Sequence, residues 1–196
     1  MGKKPNVILW DIEANGLNAD FGRIFCIGWK RLGDKKVNII SIRDFTEKGQ
    51  PIWSDKGVVR EAAKVLGDAD AWVTWYGSRF DVPFVNTRLL KHHLTPLPPV
   101  PHVDGWRIAR NHLRLHSNRL QSVLTFLELG DKTAITPQVW DGASAGKVSA
   151  LKYIEKHCRI DVQELENAYQ RIKCLATDHP SIAAIEGKKK ACPICG

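Results

Sequence analysis

The chain has 196 residues, 43% hydrophobic and 26% charged, which suits one sizeable globular domain and excludes a chain dominated by disorder. No run approaches the roughly eighteen apolar residues of a membrane span, and no apolar signal core opens the chain, so a cytoplasmic location is expected. Five scattered cysteines do not make a disulfide framework, and a net charge of +8 favours a polyanionic partner.

Val7-Ile8-Leu9-Trp10 is a short apolar run that reads as a strand buried on both faces and extends to Glu13. With a side-chain period of two, Asp11 and Glu13 emerge on the same face as Val7 and Leu9. Carboxylates at the end of a buried strand are costly unless something positive lies between them, and hard divalent cations such as Mg²⁺ or Mn²⁺ meet that need with oxygen ligands. The competing reading ends the strand at Trp10 and leaves both acids solvated before Asn15-Gly16. An EF-hand is excluded, because Gly22 occupies the place of its last glutamate.

Phe21–Arg31 and Val37–Arg43 are strand-like, joined by a turn around Gly33, so three consecutive antiparallel strands are expected. Thr46–Gly57 reads as loop, Val58–Leu66 as an amphipathic helix, Ala71–Tyr76 as an apolar strand and Phe80–Leu90 as a helix with Pro83 in its first turn. The four prolines of Leu94–Pro101 predict an extended connector. Helices follow over Asp104–Leu115, with Asp104 as N-cap and Arg107, Arg110 and Arg114 on one face, and over Leu120–Leu129. Thr133–Gly146 reads as loop, and Lys147 to about Thr177 as one long helix or two abutting ones. The order predicts an α/β fold: a mixed sheet of three antiparallel strands with later parallel additions, flanked by helices.

Between Arg79 and Arg119 lie seven Lys or Arg residues against two Asp, together with five of the seven histidines. A solvated basic face and a phosphate-contacting surface both fit this stretch.

On the last helix, stepping about 100° per residue from Ile154 brings Cys158, Asp161, Leu165, Ala168 and Ile172 within about 40° of it. Asp161 therefore sits inside the apolar stripe. Either an arginine pairs with it there, or it joins Asp11 and Glu13 around a cation. Asp81, at the start of a helix, fits plain dipole chemistry as well as a ligand role.

Asp11-Ile12-Glu13 with Gly16-Leu17, then Phe80-Asp81-x-Pro83, then His157-x-x-x-Asp161-Val162, resemble in order and spacing the three motifs of the DEDD superfamily of 3′–5′ exonucleases. The resemblance extends over about residues 5–176 and implies an RNase H-like fold. It also implies that Asp11, Glu13, Asp81 and Asp161 hold two Mg²⁺ or Mn²⁺ ions, about 3.5–4 Å apart in such sites. By the same resemblance the substrate is a nucleic acid with a single-stranded or frayed 3′ end, DNA or RNA, and the products are 5′ mononucleotides. His157 is the implied general base, with an ordinary imidazole pKa near ~6.5, against the reading of a buried, hydrogen-bonded histidine. It is a histidine at the spacing where the tyrosine branch of that family has Tyr; Ala14 replaces the usual Thr or Ser, and Tyr76 the frequent Asn. Leu17 would wedge against the terminal base or else pack as a core leucine. Arg79, Phe80, Arg107, Arg110 and Arg114 complete the candidate substrate contacts.

Residues 1–178 are expected to form the nuclease-like domain and 179–196 a basic tail. Cys192 and Cys195 look like half a zinc knuckle; a second chain, His179 or further residues complete a Zn²⁺ site, or the pair binds nothing. Besides the exonuclease, two readings stay open: a nucleic-acid-binding module of the same fold, and a structure-selective endonuclease.

Overall fold

A computed structural model describes residues 5–45, 54–130, 134–177 and 179–180. The first apolar run is strand β1 (Val7–Ala14). It pairs antiparallel with β2 (Ile24–Arg31), which pairs antiparallel with β3 (Asn38–Ser41). On its other edge β1 pairs parallel with β4 (Ala71–Thr74), and β4 with β5 (His102–Asp104). Among the described residues the sheet thus has five strands in the order β3-β2-β1-β4-β5, the predicted mixed sheet with one strand more than expected.

Strand β5 lies just past the predicted connector Leu94–Pro101, at His102 and Val103, for which no element is predicted, and at Asp104, the expected helix N-cap. At three residues it is too short for an alternation signal, and the prolines before it mask its start. Other strands are shorter than predicted. At the start of β2, Gly22 N–H donates to Asn18 O at 2.8 Å, a turn that delays the strand to Ile24. The run after β3 turns into a 3₁₀ segment (Ile42–Phe45), where Asp44 accepts from Ser41 N–H at 2.9 Å.

Helices α1 (Lys56–Gly67) and α2 (Asp81–Lys91) cover one face, burying Val58, Val59, Val85 and Leu89 with Ile8, Trp10 and Ile12. Of the predicted loop Thr46–Gly57, residues 46–53 lie outside the described residues, and Lys56 and Gly57 already belong to α1. On the other face, Val7 and Leu9 meet α3 (Gly105–His112), α4 (Leu120–Phe126) and the second half of α6 (Val148–Ile172). The predicted helix to Leu115 stops at His112, because Leu113 turns extended and packs on this second cluster; Arg114 therefore leaves the face of Arg107 and Arg110. The stretch read as loop before Gly146 contains α5 (Pro137–Ser144), whose proline at the first helical position is an N-terminus signal that was passed over.

The stripe on α6 is buried as the helical period requires: Ile154, Cys158, Asp161, Leu165, Ala168 and Ile172 are each at most 5% exposed. Two side-chain clamps hold this helix to the sheet. Lys30 of β2, 1% exposed, donates to Glu166 at 2.5 Å and to Gln163 at 3.0 Å, while Glu166 also accepts from Gly33 N–H. Arg43 makes a two-pronged pair with Glu155 at 2.6 and 2.7 Å. Although α6 has 25 residues, no helix among the described residues is long and apolar enough to cross a membrane.

On the far face, Asp55 is fully buried and accepts from Ile24 N–H, from both prongs of Arg88 at 2.8 Å, and shares a 2.6 Å hydrogen bond with His92. Arg88 and His92 were counted in the basic region; they are spent on this internal anchor, and Arg88 is not a phosphate contact. At the other end of the chain, His179 stacks on Tyr169 and engages Tyr169 Oη and Pro180 O through its two ring nitrogens at 2.7 Å. Cys192 and Cys195 lie outside the described residues.

Candidate active site

Strand β1 outruns its parallel neighbour. The pairing with β4 ends at Leu9 opposite Val73, while β1 continues through Asp11 and Glu13 with β2 as partner. A backbone donor on the exposed edge then needs a new acceptor, and Asp81 supplies it: Ile12 N–H donates to Asp81 Oδ1 at 3.1 Å. The second acid motif is thereby fastened between the two acids of the first. After Glu13 the register slips at a bulge, which bends the end of β1.

From above, α6 brings the third motif down. Glu13, His157 and Asp161 place one ligand atom each within 4.8 Å of one another, as do Asp11, Glu13 and Cys158. His157 Nδ1 stands 3.3 Å from Asp161 Oδ1 and 3.4 Å from Glu13 Oε1. Asp161 is turned toward Glu13 and His157. The close approach depends on Gly28, which faces Asp11 across the β1–β2 ladder. A β-carbon there would lie 2.8 Å from Cys158 Sγ and 2.9 Å from Val162 Cγ2.

The electrostatics are those of an acid-rich site. Asp81 is 2% exposed, and burial pushes its carboxyl up to about 7. The Ile12 N–H opposes that rise, while the negative charges of Asp104 and Glu13 add to it. For His157, burial acts to lower the pKa, but the carboxylates of Asp161 and Glu13 beside its Nδ1 outweigh it and raise the imidazole to about 10. The expected ordinary imidazole is thus replaced by an imidazolium held between two carboxylates. Oxygen donors dominate the site, and Glu13 and Asp161 converge within 4.8 Å with Asp11 and Asp81 close along the same strand end, so these residues fit a hard metal ion. The sequence pattern did not reveal Cys158 as a neighbour of the two β1 acids.

Beside Glu13 opens a cavity of about 560 Å³ whose lining includes Asn15, Leu17, Phe80, Trp140, Asp141 and Ser144. A second, of about 290 Å³, is lined by Leu17, Arg79 and Phe80 among others. Leu17 is 84% exposed, which rejects its reading as a core residue. Trp140, Asp141 and Ser144 come from α5, and reading Thr136-Pro137 as a helix start would have found them. Arg107 lies elsewhere, lining a cavity of about 160 Å³ with His102, Asn111 and His112.

In fold, the chain is similar to a family B DNA polymerase from the hyperthermophilic archaeon Pyrobaculum calidifontis, with a TM-score of 0.66 and 13% identity over 97% of this chain. The chain spans 28% of that polymerase's length. No curated protein matches it in sequence. The family model of the RNase H superfamily matches residues 8–173, a span that takes in β1, α2 and α6 and with them every acid described above; the chain belongs to the RNase H superfamily.

Proposed function

We propose that the protein is a metal-dependent 3′–5′ exonuclease that hydrolyses phosphodiester bonds at nucleic-acid ends and releases 5′ mononucleotides. The observation that carries this reading is the convergence of Glu13, His157 and Asp161 within 4.8 Å, with Asp81 fixed to the backbone between Asp11 and Glu13. Asp11, Glu13, Asp81 and Asp161 would hold two Mg²⁺ or Mn²⁺ ions. Bound ions supply an activated water and charge stabilisation at phosphorus.

The chain's own residues do the rest. Asp81 must be ionised to act as a ligand, and its pKa of about 7 makes that ionisation sensitive to neutral pH. His157 Nδ1 keeps Glu13 and Asp161 together as an imidazolium. Were their charge shared with a cation, the cause of its high pKa would weaken, the imidazolium would release its proton to solvent, and the neutral imidazole would then be able to take one from water. Leu17, Phe80 and Trp140 present apolar surface for the terminal base beside Glu13.

The test uses 5′-labelled DNA and RNA oligomers with Mg²⁺ or Mn²⁺, and Asp81→Ala beside the wild type. A ladder of progressively shortened products that the variant abolishes is expected; no ladder, or an unaffected variant, refutes the reading. Resistance of a circular substrate separates it from an endonuclease. Salt-sensitive binding with no cleavage at all would instead describe a binding module.

A further inference from the structure

Tyr76 has a φ of 67°, a left-handed conformation that a bulky side chain rarely adopts. The turn around it leaves no slack: a β-carbon on Gly77 would lie 2.2 Å from Thr74 Oγ1. One buried carboxylate imposes this conformation. Asp104, 4% exposed at the end of β5, accepts from Tyr76 N–H at 2.8 Å and Ser78 N–H at 3.0 Å. It also accepts from Ser78 Oγ at 2.5 Å and from Trp106 N–H at 3.0 Å.

The backbones of Tyr76 and Trp106 thus hang on a single anchor. Their rings meet edge to face, with centroids 5.0 Å apart at 71°. Strain held by surrounding structure marks positions kept for a purpose other than stability. What this strain achieves is an aromatic pair on the surface: Tyr76 is 40% exposed and Trp106 half-buried. The pair sits at the carboxyl ends of the parallel strands β4 and β5, the side on which open α/β sheets bind ligands. Asp81 follows five residues after Tyr76, yet neither ring lines the cavities beside Glu13. The same two segments carry exposed cations, Arg79 in the turn of Tyr76 and Arg107 and Arg110 on the helix in whose first turn Trp106 lies.

We propose that Tyr76 and Trp106 form a stacking platform for a base upstream of the cleaved end of a single-stranded nucleic acid, with Arg107 and Arg110 contacting its phosphates. The inference rests on the nuclease reading and names the form of its substrate. Duplexes keep their base faces stacked and hidden, whereas a single strand offers them to aromatic rings, with arginines tracking the phosphates.

The test compares the full chain with Tyr76→Gly, Tyr76→Phe and Trp106→Ala on two substrates, a single-stranded oligomer and thymidine 5′-monophosphate p-nitrophenyl ester, which has no upstream nucleotide. Tyr76→Gly removes the ring and suits the positive φ, so it is expected to melt no lower than the wild type. On the oligomer, Tyr76→Gly and Trp106→Ala should raise KM about 5- to 100-fold with kcat little changed. Tyr76→Phe should keep the wild-type KM, and the ester should be hydrolysed equally by all four proteins. Unchanged KM on the oligomer, or an equal loss on the ester, overturns the platform. Failure of the wild type on both substrates overturns the nuclease reading itself.

Discussion

Gly28→Ala tests whether the site depends on how closely α6 approaches the sheet. The new methyl carbon would stand 2.8 Å from Cys158 Sγ, 2.9 Å from Val162 Cγ2 and 3.2 Å from Cys158 O. Carbon contacts settle near 3.5–4.0 Å, so the helix must retreat by roughly 1 Å or the strand must bend. Overpacking of this kind costs about 1–3 kcal/mol. At about 2–4 °C per kcal/mol for a chain of this size, the melting temperature should fall by roughly 2–12 °C. The damage to function should be larger in proportion. His157 and Asp161 each directly precede one of the clashing residues on α6, and displacement of such groups by about 1 Å costs on the order of 100-fold in rate. Thermal unfolding followed by circular dichroism measures the first effect, and oligomer cleavage at saturating Mn²⁺ the second. Adding Cys158→Ala to Gly28→Ala removes the nearest atom and should restore part of both. A single variant with wild-type stability and rate would show that the helix does not bear on the sheet through this glycine.

Two further expectations concern titrating acids. Asp81 has an ordinary value of 3.8 and a folded value of about 7, so the folded state binds the extra proton between those limits. Its contribution is favourable below pH ~4 and is lost as pH rises to about 7, on the order of 4 kcal/mol across the window. In EDTA, Asp81→Asn should flatten that decline and melt higher than the wild type at pH 8 while losing cleavage; a parallel pH profile would refute it. Asp55 behaves oppositely, since burial would raise its pKa but Arg88, Ile24 N–H and His92 hold it below the ordinary range. The stability it contributes is present above the ordinary carboxylate range and lost as pH falls through the depressed value. Asp55→Ala strands the buried Arg88 and should cost about 3–5 kcal/mol in urea unfolding; a loss under 1 kcal/mol would contradict the anchor.

The parts of this fold that were legible in the sequence are those where one residue type had to answer a strong local demand. Asp11, Glu13 and Asp161 stood out because each interrupts a buried apolar pattern, and the structure brings Glu13 and Asp161 to one place. What escaped notice depended on partners distant in the chain. Strand β5 is defined by its pairing with β4. Asp55 looked like a loop acid because Arg88 and His92 approach it only after α2 folds back. Gly28 looked like any strand glycine, since nothing nearby in sequence shows that a helix more than a hundred residues later presses on it. The charge count around Arg79–Arg119 misled for the same reason: it added Arg88, which is internal, to arginines that are exposed.

The arrangement also shows what brings the acids together. Asp81 is not held near Glu13 by attraction; its own hydrogen bond to Ile12 N–H fixes it there against repulsion. Clamps on other residues hold α6 down: Lys30 with Glu166 at one stretch of the helix, Arg43 with Glu155 at another. The helix is thus anchored apart from the ligands, while the ligands themselves are placed by Ile12 N–H and His157. A cation at this site would have to compete with His157 for Glu13 and Asp161, whereas the pairs that hold α6 to the sheet, Lys30 with Glu166 and Arg43 with Glu155, involve none of the proposed ligands.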